Sequence, residues 1–218
     1  MNQNPDGRPK VNYQKKTDEA IRRLCADKTV PNLLLHSCCA PCSSYVLEYL
    51  SRYFDLTVFY YNPNISPAEE YEKRASELER LVSDMTFEHP VRVIRGRYDP
   101  ERYYEAARGL EDAPEGGERC RRCFRLRLDE AAKTAKELGI SLFTTTLTIS
   151  PLKDADLLNR IGEEAAERYG ISFLPSDFKK RNGYLRSIEL SREYHLYRQN
   201  FCGCIYSKNE ADKREKGK

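Results

Sequence analysis

Short apolar runs alternate along this chain with longer segments whose apolar positions recur at helical spacing. After a polar start, "TDEAIRRLCAD" offers Thr17 as a capping residue and apolar positions at Ala20, Ile21 and Leu24, which predicts a helix. The run "NLLLHS" predicts a strand, and the residues from Pro41 to about Arg52 a helix. "LTVFYYN" and "VRVI" predict strands on either side of a long charged helix across "SPAEEYEKRASELERLVSDM". Helices follow around "DPERYYEAARG" and through "RCRRCFRLRLDEAAKTAKELG". Next come a buried strand "SLFTTTLTIS", a helix "KDADLLNRIGEEAAERYG" and a short "ISFLP". Strands separated by helices form βαβ units, so the expected class is α/β, a Rossmann-like, mostly parallel sheet with right-handed crossovers.

Open parallel sheets bind ligands beyond the carboxyl ends of their strands, near a topological switch. Four segments fall at such ends: the loop around Cys38 and Cys39, the pair Asn62 and Asn64, the pair Tyr98 and Asp99, and Thr145 to Ser150. These are expected to converge on one site. "GLEDAPEGGE" is acidic and rich in Gly and Pro, and predicts a mobile loop. The tail "SKNEADKREKGK" is charged and lacks aromatics, and predicts disorder. At 218 residues the chain therefore divides into one α/β domain over 1–206, with a helical carboxy-terminal segment, and a structureless tail over 207–218.

Composition narrows the setting. The amino terminus lacks the apolar core of a signal peptide, and no window approaches the roughly 18 apolar residues of a membrane helix. The expected compartment is the cytoplasm, where thiols stay reduced, so eight cysteines read as metal ligands or redox groups rather than as disulfides. A net charge of +3 neither demands nor excludes a nucleic-acid partner.

Cys25 stands alone on a helix and reads as a small buried hydrophobe. The other seven cysteines form three groups: Cys38, Cys39 and Cys42 in "CCAPC", Cys120 and Cys123 in "CRRC", and Cys202 and Cys204 in "CGC". A Cys-x-x-Cys pair at a helix start aims two sulfurs at one point, and the helix dipole with flanking Arg119, Arg121 and Arg122 favours thiolates. Pro41 suits a first helical turn, leaving Cys38 and Cys39 in the preceding loop. Four thiolates satisfy either structural zinc or an iron–sulfur cubane, and three remain for a second metal or an open position. Ligand softness leans toward iron and sulfide, but spacing leaves both open. "HSCCAPCSS" contains no glycine to cradle phosphate, so nucleotide binding at that loop is disfavoured.

Ordered across the chain from Leu33 to Tyr206, "HSCCAPCSS", "FYYNPNI" with "EEYEKR", "ERCRRCFRLRL", "TTTLTISPLK" and "GYLRSIELSREYHLYRQNFCGC" resemble the cobalamin-independent epoxyqueuosine reductases, the QueH family. The resemblance implies an adenine-nucleotide alpha hydrolase-like fold with a metal site at the strand ends. The implied activity is the last step of queuosine biosynthesis, a two-electron removal of the epoxide oxygen of epoxyqueuosine in tRNA. It also implies a [4Fe-4S] cluster with an adjacent iron or other divalent ion. Carried onto this chain, Cys38, Cys39, Cys120 and Cys123 become cluster ligands. Cys202 and Cys204 become ligands of the adjacent ion, with Cys42 and Asp99 as further candidates. An external electron donor is required, and His36 and Tyr98 are candidate proton donors, with Asp99 beside them.

A reader of an anticodon loop needs cations with aromatic stacking surfaces. Lys179, Lys180 and Arg181 beside Phe178 and Tyr184 form one such patch, and the five arginines of "ERCRRCFRLRL" another. Asn62, Asn64, Ser150, Tyr197 and Arg198 complete the candidate substrate contacts. Two other readings compete: a zinc-stabilised tRNA-binding module without redox activity, and a metal-free thiol-disulfide oxidoreductase built on Cys120 and Cys123.

Overall fold

A computed structural model describes residues 11–26 and 29–216. The first part of the polar start and the last two residues of the tail lie outside the described residues. Five strands form one all-parallel sheet in the order β3-β2-β1-β4-β5: β1 (Asn32–Ser37), β2 (Asp55–Tyr60), β3 (Val91–Arg95), β4 (Leu142–Thr145) and β5 (Ser172–Phe173). The chain winds outward from β1 through β2 to β3, then crosses back to place β4 on the other side of β1. The strand order thus reverses between β1 and β4, which opens a crevice at their carboxyl ends.

Side-chain alternation along the strands builds two cores, as expected for a sheet covered on both faces. Leu33 and Leu35 of β1, with Leu56, Val58 and Tyr60 of β2, pack under α2 (Ala40–Leu50) and α3 (Ala68–Asp84). Leu34 and Phe59 face the opposite way, against α5 (Glu118–Glu137) and α6 (Ala155–Tyr169). Helices α1 (Tyr13–Leu24), α4 (Pro100–Ala107), α7 (Gly183–Glu193) and α8 (Ile205–Lys216) complete the described fold. None of the described helices is long and apolar enough to cross a membrane.

Several expectations are corrected. Asn12, not Thr17, caps α1 by accepting from the Lys15 amide; Thr17 lies inside the helix and donates to the Tyr13 and Pro175 carbonyls. The apolar run read as one strand divides into β4 and a 3-10 turn over Thr146–Ile149. There the hydroxyl of Thr145 accepts from the Leu147 amide and bends the chain. The tail expected to be structureless runs as α8, anchored at its start where Ser207 bonds Cys204. The glycine-rich loop before α5 is tied down: buried Arg119 donates to the carbonyls of Leu110, Glu111 and Ala113.

Candidate metal centre

The loop after β1 enters α2 through Cys39, whose extended backbone occupies the cap position, and Pro41 sits in the first turn as its missing N–H allows. Cys42 follows within that turn. The three sulfurs of Cys38, Cys39 and Cys42 lie within 4.8 Å of one another. Thr146, just beyond β4, closes the crevice: its hydroxyl accepts from the Cys38 amide at 3.2 Å and donates to the Cys38 sulfur at 3.4 Å.

The second group comes from two directions. Cys120 and Cys123 stand on the first turns of α5, and the Gly116 amide donates to the Cys120 sulfur at 3.3 Å. Cys202 and Cys204 arrive on the loop before α8, held where Arg74 donates to the Cys202 carbonyl and the Ser66 amide to the Gly203 carbonyl. The Ser207 amide donates to the Cys204 sulfur at 3.4 Å. Two adjoining cavities result. One, about 300 Å³, is lined by Cys38, Cys39, Cys42 and Cys202 with Arg74, Arg127, Lys153, Tyr184 and Arg198. The other, about 120 Å³, is lined by Cys120, Cys123, Cys202 and Cys204 with Asn64, Tyr103 and Lys153. Cys202 and Lys153 line both cavities. A larger recess of about 860 Å³ along α1 contains no cysteine.

Electrostatics separate the thiols. The thiols of Cys39 and Cys42, directed at the Cys38 sulfur, hold its pKa well below the usual thiol range, and Arg127 and Lys153 add to this against its burial. Cys39 is pushed up to about 12, and Cys42 rises too, because each gives its proton toward Cys38. Burial raises Cys120 and takes Cys123 to about 12. Burial opposes the charge of Lys153, but the sulfurs of Cys202, Cys38 and Cys42 outweigh it and raise its pKa. Arg127 is shifted the same way, against its burial, by Cys123, Cys38 and Cys202.

Other sequence candidates fall in different places. His36 is fully buried beneath the site, and burial followed by Arg127 lowers its pKa to about 3. Its Nε2 donates to the Tyr61 carbonyl at 3.1 Å, so Nδ1 accepts from the Thr145 hydroxyl at 2.8 Å, a neutral brace with both nitrogens engaged. Tyr98 donates to the Ile65 carbonyl at 2.8 Å and stacks on Tyr71. Asp99 precedes α4 and acts electrostatically on Tyr61 and Arg102; neither Tyr98 nor Asp99 lines either sulfur cavity. Asn62 donates to the Ser37 carbonyl and accepts from Arg127. Asn64 is buried in the smaller cavity wall with its Oδ1 unpartnered among the described residues. Ser150 and Arg198 line the larger cavity, whereas Tyr197 binds Glu70 and lies under Lys73. Lys179 pairs with Asp177 and Arg181 with Asp18, and Lys180 lines a separate groove with Arg181. None of these three cations lines a sulfur cavity, whereas Tyr184 of the same patch lines the larger one.

Sequence reasoning missed Lys153 and Arg74 as site residues, although Lys153 lay in view beside Ser150 in "TISPLK". Arg127 was read with the other arginines of "ERCRRCFRLRL" as an RNA contact, but it and Arg119 are buried.

A family model described as epoxyqueuosine reductase QueH matches residues 33–210. The epoxyqueuosine reductase QueH of Streptococcus pyogenes serotype M1 is 43% identical over 208 residues, covering 94% of this chain and 81% of that protein. The one from Staphylococcus epidermidis is 43% identical over 91% of this chain and 85% of its own length. That of Thermotoga maritima is 36% identical over 84% and 93%, respectively.

Proposed function

The chain belongs to the epoxyqueuosine reductase QueH family, and from that premise we propose that it reduces epoxyqueuosine to queuosine in tRNA, in the cytoplasm. The observation that supports this most is the convergence of seven cysteines, from three distant parts of the chain, on two adjoining cavities at the switch of the sheet. The reaction consumes two electrons and two protons and releases the epoxide oxygen as water.

The residues fit a thiolate-bound metal group. Cys38 is disposed to ionise, the buried Cys39 and Cys123 and the half-buried Cys42 are thiols that a bound cation would deprotonate, and Arg127 and Lys153 offset the resulting negative charge. Cys38, Cys39, Cys120 and Cys123 would hold a [4Fe-4S] cluster, and Cys202, Cys204 and Cys42 an adjacent iron or other divalent ion. The sulfurs of Cys38, Cys39 and Cys42 lie within 4.8 Å of one another while Cys120 and Cys123 line the adjoining cavity, so this division requires a group that spans the junction of the two. When bound, this group supplies single electrons from an external donor and a Lewis-acidic centre for the epoxide. Asn64, which lines the smaller cavity and has a buried, unpartnered oxygen among the described residues, suits an oxygen ligand better than Asp99, which lines neither cavity.

The larger cavity would receive the modified base, with Tyr184 and Phe201 offering aromatic surface and Arg198 a cation in its wall. Lys153 holds a positive charge at the junction of the cavities, where the departing oxygen would gather negative charge and need a proton. His36 and Tyr98 are less suited to that role, because their polar atoms are committed to internal hydrogen bonds. The test is anaerobic incubation with epoxyqueuosine-containing tRNA and a low-potential reductant, followed by nucleoside mass spectrometry. Loss of one oxygen from the modified nucleoside is expected. An unchanged nucleoside with fully loaded protein would overturn the reading.

A further inference from the structure

Arg127 is among the largest fully buried side chains of the protein, 1% exposed, and it has no carboxylate partner among the described residues. Its Nη2 donates to the Asn62 Oδ1, and its Nε is buried without a partner. Burying a guanidinium without a counter-ion is costly, and a position of this kind persists where an anion is held nearby. The thiolates of the site supply that anion. Arg127 lines the larger cavity with Cys38 and Cys202, and stands four residues after Cys123 on the same face of α5. Asn62 accepts from the guanidinium while its own amide donates to the Ser37 carbonyl, one residue before Cys38.

We propose that Arg127 is a positioning residue whose fixed charge, aimed by Asn62 between the two cysteine groups, stabilises the reduced state of the thiolate-bound centre. This rests on the reading of the site as an iron–sulfur centre. One electron passed in from an external low-potential donor makes the centre more negative by one charge, while the donor is oxidised by one electron. A cation that cannot move or lose its proton favours the reduced side of that equilibrium. Because Arg127 is buried, its field is weakly screened.

The experiment is potentiometric titration of anaerobically purified, iron- and sulfide-quantified protein, followed by electron paramagnetic resonance of the reduced centre. Arg127→Gln, loaded to wild-type iron and sulfide, is expected to disfavour reduction by at least about tenfold, or about 59 mV for one electron. Arg127→Lys keeps the charge and is expected to stay within about threefold of wild type. Asn62→Asp leaves Arg127 in place but neutralises its field, so the potential should fall in the same direction as with Arg127→Gln. If Arg127→Gln does not load, Asn62→Asp decides the matter: a lowered potential supports the assignment and an unchanged one overturns it. An unchanged potential in loaded Arg127→Gln overturns the assignment alone. Absence of iron and sulfide from the wild-type protein overturns both the assignment and the reading beneath it.

Discussion

Gly203 separates two cysteines at a φ of 125°, a conformation that side chains with a Cβ resist. A Cβ there would meet Ile65 at 2.9 Å and the Arg74 guanidinium at 3.0 Å, and that guanidinium holds the Cys202 carbonyl. Gly203→Ala should therefore cost on the order of 1–3 kcal/mol of local strain and displace both sulfurs. The expected outcome is lowered metal retention after dialysis against a chelator, with far-ultraviolet circular dichroism unchanged; equal retention would contradict it. At this scale the sequence was only partly readable. Cysteine grouping pointed to sulfurs gathered in one place, and Cys38, Cys39 and Cys42 do form a group that could hold a metal, because the residue type itself carries the chemistry. His36 resembled a proton donor because burial, which lowers its pKa and engages both nitrogens, is a property of the folded surroundings. Arg127 and Arg119 looked like exposed helix arginines for the same reason, and both prove buried.

Among elements, β1, α2 and α5 followed from periodicity, since each has an uninterrupted apolar run or face. The boundary inside "LFTTTLTIS" did not, because the bend is made by the Thr145 side chain bonding its own backbone rather than by Gly or Pro. Helix α7 was harder still. Its start is set by Arg181 and Asn182 in left-handed conformation, and its docking by Gly183. A Cβ on Gly183 would lie 2.0 Å from the Phe178 carbonyl oxygen and 2.4 Å from the Tyr45 ring, so α7 could not keep its place against α2. Gly183→Ala is expected to destabilise the protein by about 3 kcal/mol, the upper range for overpacking. A denaturant midpoint equal to wild type would show that this close approach is not needed. Because Tyr184 and Ser187 of α7 line the larger cavity, the same variant should also weaken tRNA binding.

For the whole molecule, the reversal of strand order between β1 and β4 accounts for the position of the candidate site. Loops from β1 and β4 meet there, and the other two pairs of sulfurs are brought to it by α5 and the segment before α8. The convergence of strand ends was legible from the βαβ pattern, but Tyr98 and Asp99 turn away because Tyr98 packs on Tyr71. Cations at the cavity wall should face the RNA. Arg198→Gln is expected to flatten the dependence of tRNA affinity on salt by about 0.7 in log–log slope for each phosphate that is no longer neutralised. Replacing Lys179, Lys180 and Arg181 together should leave that slope unchanged, since two of them are paired with Asp177 and Asp18 away from the site. A slope flattened by the triple variant and not by Arg198→Gln would place the RNA on the other face.

That the converging cysteines hold an iron–sulfur centre is tested most directly by iron, zinc and acid-labile sulfide per chain in protein purified without oxygen. About four or five iron with about four sulfide is the expected result, the count for a cubane with or without an adjacent ion. Zinc without sulfide, persisting after anaerobic reconstitution, would contradict the account and leave a structural tRNA-binding protein in its place.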